Sequence, residues 1–198
     1  MVHFSIGATA VGAVFKDGVI LAADRRIAYG PFILSKSGRK VFKITDFVGM
    51  ACAGLLSDFQ RLERIIKANI ALYEMNNRRY ASSSVVAKLV SIVLFSNRTM
   101  PLYLEALVGG KDRDKFSLFS LDAVGSLSKE KYAAIGTGAE LAISILEKNY
   151  SEDMSLKEGE SLIVSAMKAA ISRDAVTGDG IDLLIISDEG AESKFIKV

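Results

Sequence analysis

Residues 7–26 read GATAVGAVFKDGVILAADRR. The stretch contains two apolar runs, 8–16 and 18–24, which are rich in Val and Ala and meet at Lys16-Asp17-Gly18. An Asp-Gly pair between two such runs is typical of the turn that closes a β-hairpin. The sequence therefore predicts a buried hairpin here.

Further elements follow on the C-terminal side of this hairpin. A second strand pair is predicted at 41–44 and 47–52, turning at Thr45-Asp46. From Leu56 the apolar spacing becomes that of a long amphipathic helix, and Ser82-Ser83-Ser84 offers caps for a second one. The apolar positions that define the first helix are Phe59, Leu62, Ile65, Ile66, Ile70 and Tyr73.

After Pro101 the strand pattern returns. Short strands are predicted at 103–108, 115–121, 131–135, 182–186 and 193–198, and helices at 139–150 and 156–172. Ser155 and Glu158 form a capping-box pattern at the start of the last helix. The order of strands, two helices, strands, two helices and strands favours an α+β fold with two sheets, each covered by a helix pair.

Composition limits the classes of function. With 198 residues, 50% of them hydrophobic, the chain is long enough for one well-buried domain. The 25 Lys and Arg nearly balance the 23 Asp and Glu, so no field would attract a nucleic acid or an anionic membrane. No apolar run approaches the ~18 residues of a membrane span. Cys52 alone cannot form an internal disulfide, which suits a reducing compartment, and a cytoplasmic location is expected.

A secretion signal is also considered, because Ala8-Thr9-Ala10 imitates the small-x-small site of a signal peptidase. The apolar segment before it is too short, and no Lys or Arg precedes that segment. The sequence therefore does not predict a secreted protein.

Six motifs, taken together and in order, resemble the β subunit of the 20S proteasome, the archaeal type most closely. The resemblance covers nearly the whole chain and implies the fold of the N-terminal nucleophile hydrolases, a four-layer αββα sandwich of two antiparallel sheets flanked by helix pairs. It also implies a leader at 1–7 and a single domain at 8–198. The motifs lie at 7–12, 16–19, 21–26, 53–54, 136–138 and 173–178.

The resemblance implies a chemistry and an assembly. In the family a leader is removed, and the exposed threonine attacks peptide carbonyls with its hydroxyl while its own α-amine acts as base. Peptide bonds of unfolded proteins are cut inside a ring chamber, without ATP and without a metal or other cofactor. The implied partners are proteasome α subunits, other β subunits in a seven-membered ring, and unfolded proteins delivered by an ATPase regulator.

The nucleophile position in this chain is Ala8. Asp24 lies sixteen residues after it and Lys40 thirty-two, the separations that the family uses from its threonine. A lysine holds down the pKa of the nearby α-amine by charge repulsion, and the aspartate holds the lysine. Counting from Thr9 instead would place an arginine and a valine at those two positions.

Other family positions are matched as well. Gly54 corresponds to the residue whose backbone amide stabilises the oxyanion, and Asp174 to the aspartate of a hydrogen-bonded network. Thr137 and Thr177 stand where that network has serines, and they keep the hydroxyl. Among the positions that correspond to substrate binding, Ile27, Phe42, Cys52 and Leu56 favour a mostly apolar pocket. Ala28 stands where the family has a threonine that pairs with the substrate, which is held there largely by backbone.

Ala8 is the departure that matters, because a methyl group can neither attack a substrate nor release the leader. Either a Thr-to-Ala change was introduced, or the chain is a natural noncatalytic β subunit that serves as a structural member of the ring. Retention of Asp24, Lys40, Gly54 and Asp174 favours the first. Without the resemblance, Asp24 and Lys40 would be read as a solvated surface pair and Cys52 as a small buried residue. Ser37-x-x-Lys40 also matches a motif of penicillin-binding enzymes, but their companion motifs are missing.

Overall fold

Two five-stranded sheets dominate the computed structural model, which describes residues 7–113 and 115–198. The elements in chain order are β1 (Thr9–Phe15), β2 (Gly18–Asp24), β3 (Ile27–Tyr29), β4 (Phe32–Ser35), β5 (Val41–Lys43), β6 (Val48–Gly54), α1 (Leu56–Asn77), α2 (Ser83–Ser96), β7 (Leu104–Asp112), β8 (Lys115–Leu121), β9 (Leu127–Glu130), β10 (Tyr132–Gly136), α3 (Ala139–Asn149), α4 (Leu156–Arg173), β11 (Ile181–Ser187) and β12 (Gly190–Ile196).

All strand pairs are antiparallel. The first sheet has the order β10-β1-β2-β11-β12, the second β5-β6-β7-β8-β9, and β3 pairs only with β4. The predicted hairpin is confirmed, since Phe15 pairs with Gly18 across the turn. The α+β fold class is confirmed too.

The fold has four layers, because each sheet has apolar residues on both of its faces. Leu21, Leu107, Leu118 and Leu184 pack in the cluster between the two sheets. A second cluster joins α1 and α2 to the outer face of the second sheet, and a third joins α3 and α4 to the first. Because β1 and β2 are covered on both faces, their sequences are continuously apolar rather than alternating.

The helix starts agree with the capping signals. Ser155 and Glu158 form the predicted capping box, with the Ser155 amide donating to Glu158 Oε2 at 2.9 Å. The Ser82 hydroxyl accepts from the Val85 amide at the start of α2. These side chains accept hydrogen bonds from backbone amides that have no partner within the helix.

Three strands were not predicted. The hairpin of β3 and β4 and the short β9 have largely exposed side chains, so their sequences carry no apolar period. β12 also begins at Gly190 rather than at 193, because the chain reverses tightly after Ser187. Of the expected leader at 1–7, residues 1–6 lie outside the described residues. Within the described ranges no helix is long and apolar enough to cross a bilayer.

Four strand ends meet at one end of the sandwich. Thr9 at the start of β1 pairs with Gly136 at the end of β10, and Asp24 at the end of β2 pairs with Ile181 at the start of β11. The loop that leads into β11 contains residues 174–180. Residues far apart in the chain are therefore brought together at this end.

Candidate active site

Asp24 lies at the end of β2, and its carboxylate accepts four hydrogen bonds from other groups of the protein. Its Oδ1 accepts from Lys40 Nζ at 2.6 Å and from the Thr9 amide at 3.1 Å. Its Oδ2 accepts from the amides of Arg26 and Gly178, each at 3.0 Å. The carboxylate is fully buried. Asp24 therefore joins β1, the lysine and the loop before β11.

Lys40 is buried with only 1% of its surface exposed. Besides Asp24, its Nζ donates to the Arg26 carbonyl oxygen at 2.6 Å. Burial lowers the pKa of Lys40, and the attraction of Asp24 opposes that effect. The pair is thus no solvated surface contact, and removing either partner would leave an uncompensated charge inside the protein.

A second cluster surrounds Asp174. Its Oδ2 accepts from the hydroxyls of Thr137 at 2.5 Å and Thr177 at 2.6 Å, and its Oδ1 accepts from the Val176 amide at 3.2 Å. Thr177 is fully buried, whereas Thr137 is exposed. The structure therefore brings together the three network residues that the sequence singled out.

Ala8 lies beside this second cluster, and its side chain is 1% exposed. Its carbonyl oxygen accepts from the Thr137 amide at 3.0 Å. The preceding residue has little room: a Cβ on Gly7 would lie 1.8 Å from Val176 Cγ2 and 3.3 Å from Thr137 Oγ1. Only glycine fits immediately before Ala8 without a shift of the neighbouring side chains.

Gly54 ends β6 in a conformation that other residues rarely adopt. Its φ is +131°, and a Cβ built on it would lie 2.2 Å from the carbonyl oxygen of Tyr103. Both the dihedral angle and the close backbone require glycine. The sequence signal Ala53-Gly54 thus has a structural cause that is independent of any catalytic role.

We expect Gly54→Ala to destabilise the protein more than Gly30→Ala does. Gly30 also has a positive φ, +56°, but a Cβ there meets nothing within 4 Å. Both variants suffer strain of roughly 1–2 kcal/mol, while only the first suffers the backbone clash. Thermal unfolding of the two variants measures the difference, and equal midpoints would contradict the close contact at Gly54.

Comparison with known proteins identifies the family. Residues 4–186 match the model of the proteasome subunit family. The chain belongs to this family. It is 49% identical to proteasome subunit beta 2 of Pyrobaculum arsenaticum over 98% of this chain and 95% of that protein. It is 50% identical to proteasome subunit beta 1 of Ignicoccus hospitalis, over 94% of each chain. Proteasome subunit beta 2 of Korarchaeum cryptofilum is also 50% identical, over 96% and 97% of the two chains.

These archaeal relatives place the chain among the proteasome β subunits. Membership of this protease family implies assembly, with α subunits, into a proteasome core. A cluster of three or more His, Cys, Asp or Glu side chains that could hold a metal ion does not occur among the residues that the structure describes.

The expected substrate-binding residues are only partly brought together in this proteasome-family chain. Ile27, Phe42 and Leu56 line an open groove of about 480 Å³. Ala28 on β3 is half-buried and is not part of this lining. The lining is not mostly apolar, because it also contains Ser35, Ser37, Gly38, Arg39, Gln60, Glu63 and Arg64.

Cys52 is fully buried and contributes no exposed surface to this groove. It packs in the cluster that joins the second sheet to α1 and α2, together with Met50 and Phe59. Burial raises the pKa of the Cys52 thiol well above its ordinary value. Burial thus disfavours the thiolate, which is the reactive form of a cysteine.

Sequence reasoning missed two arginine pairs that brace the site. Arg26 Nε donates to Asp179 Oδ2 at 2.8 Å, and Arg25 donates from Nε and Nη2 to Asp182 Oδ1 at 2.9 and 2.5 Å. The pairs tie the residues after Asp24 to the loop and strand after residue 174. The Arg25-Arg26 pair after β2 can be seen in the sequence, but the aspartates that bind the two arginines lie over 150 residues further along the chain.

Proposed function

We propose that this chain is a β subunit of the 20S proteasome core particle, of the type that hydrolyses peptide bonds of unfolded proteins without ATP by an N-terminal threonine mechanism. With Ala8 at the nucleophile position, the chain is unprocessed and inactive. The observation that supports this best is the buried Lys40–Asp24 pair, bonded to the amide of the residue after Ala8.

The roles of the site residues follow from that chemistry. A hydroxyl at position 8 would be activated by its own α-amine, and the positive charge of Lys40 would lower the pKa of that amine by repulsion. Asp24 would keep Lys40 charged and fixed. Gly54 would supply the amide that stabilises the oxyanion, and removal of one such donor in another protease costs about 3–4 kcal/mol.

Thr137, Asp174 and Thr177 would form the hydrogen-bonded network around the α-amine. In the unprocessed chain these residues hold one another, and the Thr137 amide holds the Ala8 carbonyl oxygen. The backbone of residue 8 is thus fixed before any leader is removed. Such prior positioning is a large part of what an enzyme contributes to a reaction.

For substrate binding we propose the surface around Ile27, Ala28, Phe42, Cys52 and Leu56. Its apolar part would accept a hydrophobic side chain of the substrate. Arg39, Glu63 and Arg64 at the same groove would add charge discrimination that the sequence did not predict. Access to Cys52 would require a shift of the side chains that cover it.

The second candidate function is that of a natural noncatalytic β subunit, which assembles with a catalytic one. Ala8 favours it directly. The hydrogen bonds of Asp24 are compatible with it, because the contacts with Lys40, Thr9, Arg26 and Gly178 stabilise the fold whether or not the chain is active. Retention of the charged pair therefore does not by itself require catalysis.

The proposed partners are α subunits, other β subunits of a seven-membered ring, and unfolded proteins delivered by an ATPase regulator in the cytoplasm. Exposed apolar side chains support an assembly, because a lone subunit would leave them in water. Those on α1, α2 and the segments next to them are Leu72, Met75, Tyr80, Ile92, Phe95, Met100 and Tyr103.

Co-expression with the cognate α subunit tests the proposal. We expect native mass spectrometry to find the chain in a large ring assembly, and its intact mass to include residues 1–7. Particles with no other β subunit should not hydrolyse fluorogenic peptides, since position 8 has no hydroxyl. A stable monomer that ignores the α subunit would refute the assembly, and a mass that lacks residues 1–7 would refute the unprocessed state.

A further inference from the structure

Thr9 contacts two clusters of the site, the residues around Asp24 and the residues around Asp174, although nothing in the motif spacing assigns it a role. Its amide donates to Asp24 Oδ1 at 3.1 Å, and its hydroxyl lies 2.7 Å from the hydroxyl of Thr177. The Gly138 amide donates to the same Thr9 hydroxyl at 3.0 Å. We propose that Thr9 is a positioning residue that fixes residue 8 relative to both clusters, an inference that rests on the proposed function.

The direction of these hydrogen bonds is determined by counting protons. Thr177 has a single hydroxyl proton, and Asp174 Oδ2 takes it at 2.6 Å. The proton between Thr9 and Thr177 therefore comes from Thr9. The Thr9 hydroxyl donates to Thr177 and accepts from the Gly138 amide. This fully buried hydroxyl is therefore satisfied both as a donor and as an acceptor.

The same bonds hold the turn that carries Thr137. Gly138, whose amide binds the Thr9 hydroxyl, directly follows Thr137, whose amide holds the Ala8 carbonyl oxygen at 3.0 Å. Residue 8 is thus held from two sides, through its bond to Thr9 and through the turn that Thr9 fixes. Loss of the hydroxyl would leave the Gly138 amide without its buried acceptor, and the turn would shift.

A shift of about 1 Å at a reacting group can lower a rate by about 10²-fold. In an assembled Ala8→Thr background we therefore expect Thr9→Val to lower kcat by about 10–100-fold, with KM changed by less than about 3-fold. Valine keeps the shape of threonine without the hydroxyl. Thr9→Ser keeps the hydroxyl without the methyl group, and it should stay within about 3-fold of its parent.

The test uses assembled particles and two readouts. The first is the split between kcat and KM for the Val and Ser variants in the Ala8→Thr background. The second is hydrogen exchange of the backbone around residues 136–138, measured in the assembled chain with Ala8 unchanged. Thr9→Val should speed this exchange and Thr9→Ser should leave it slow, because Gly138 has an acceptor only in the latter.

Each outcome decides one of the two proposals. If Thr9→Val matches its parent in kcat, the positioning role is overturned while the proposed function stands. If Ala8→Thr alone is inert, the proposed function is overturned, and the exchange readout decides whether the hydroxyl holds the turn. If Thr9→Val does not assemble, a loss of kcat in Thr9→Ser would overturn the inference, and a parent-like kcat would support it.

Discussion

The assembled Ala8→Thr chain should remove its own residues 1–7 and then hydrolyse peptides, and the chain with Ala8 should do neither. The new hydroxyl attacks the Gly7 carbonyl carbon, the peptide bond after Gly7 breaks, and its nitrogen takes the proton. This step leaves the α-amine of residue 8 free and the leader attached as an ester, and water then hydrolyses the ester to release the Gly7 carboxylate and restore the hydroxyl. That amine can serve as base for the hydroxyl in the next reaction.

The expected rise in peptidase rate is on the order of 10³-fold or more, since removal of a nucleophile elsewhere costs even larger factors. Intact mass spectrometry and a fluorogenic peptide assay measure the two steps separately. Ala8→Val is the matched control, because valine has the shape of threonine but no hydroxyl. If the Ala8→Thr particle keeps its leader and cuts nothing, the structural-subunit function becomes the better one.

Asp24→Asn should give the largest loss of stability among single substitutions in the site. The change removes the negative charge that faces Lys40 Nζ at 2.6 Å, where both side chains are almost completely buried. A buried charge that loses its partner typically costs about 3–5 kcal/mol of unfolding free energy. Thermal or denaturant unfolding of the variant measures this loss.

Two controls separate the buried pair from charge effects in general. Asp46→Asn removes the partner of Lys43 in a pair whose side chains are about half exposed, and it should cost less than about 1 kcal/mol. The double variant Asp24→Asn with Lys40→Met should recover much of the lost stability, because no unpaired buried charge remains. A single variant as stable as the parent would mean that Lys40 is not held as the structure shows.

Much of the fold follows from the sequence because the buried elements carry an apolar pattern. The four helices were predicted from apolar residues that recur on one face, and the β1–β2 hairpin from two apolar runs that meet at an Asp-Gly turn. β9 has four exposed residues, Leu-Ser-Lys-Glu, and its place is determined by backbone pairing with β8. Backbone pairing leaves no signature in side-chain type, so such a strand cannot be read from one sequence.

The candidate site likewise contains some contacts that the sequence predicts and others that it does not. Counting from Ala8 found Asp24 and Lys40, and the structure joins them. The contact between the hydroxyls of Thr9 and Thr177 spans 168 residues of sequence, and only the folded chain reveals it. Cys52 was expected at a pocket, yet alternation along β6 turns it with Met50 toward the helices.

The outer strands of the sheets have a consequence for the life of the free chain. β9, with Lys129 and Glu130 exposed, and β12, with Glu192 and Lys194, are edge strands whose unpaired backbone could recruit another strand. Charged side chains along such edges disfavour that addition, since a second strand would bury them. At these two edges a newly made chain therefore resists the addition of a foreign strand, which is one route to aggregation.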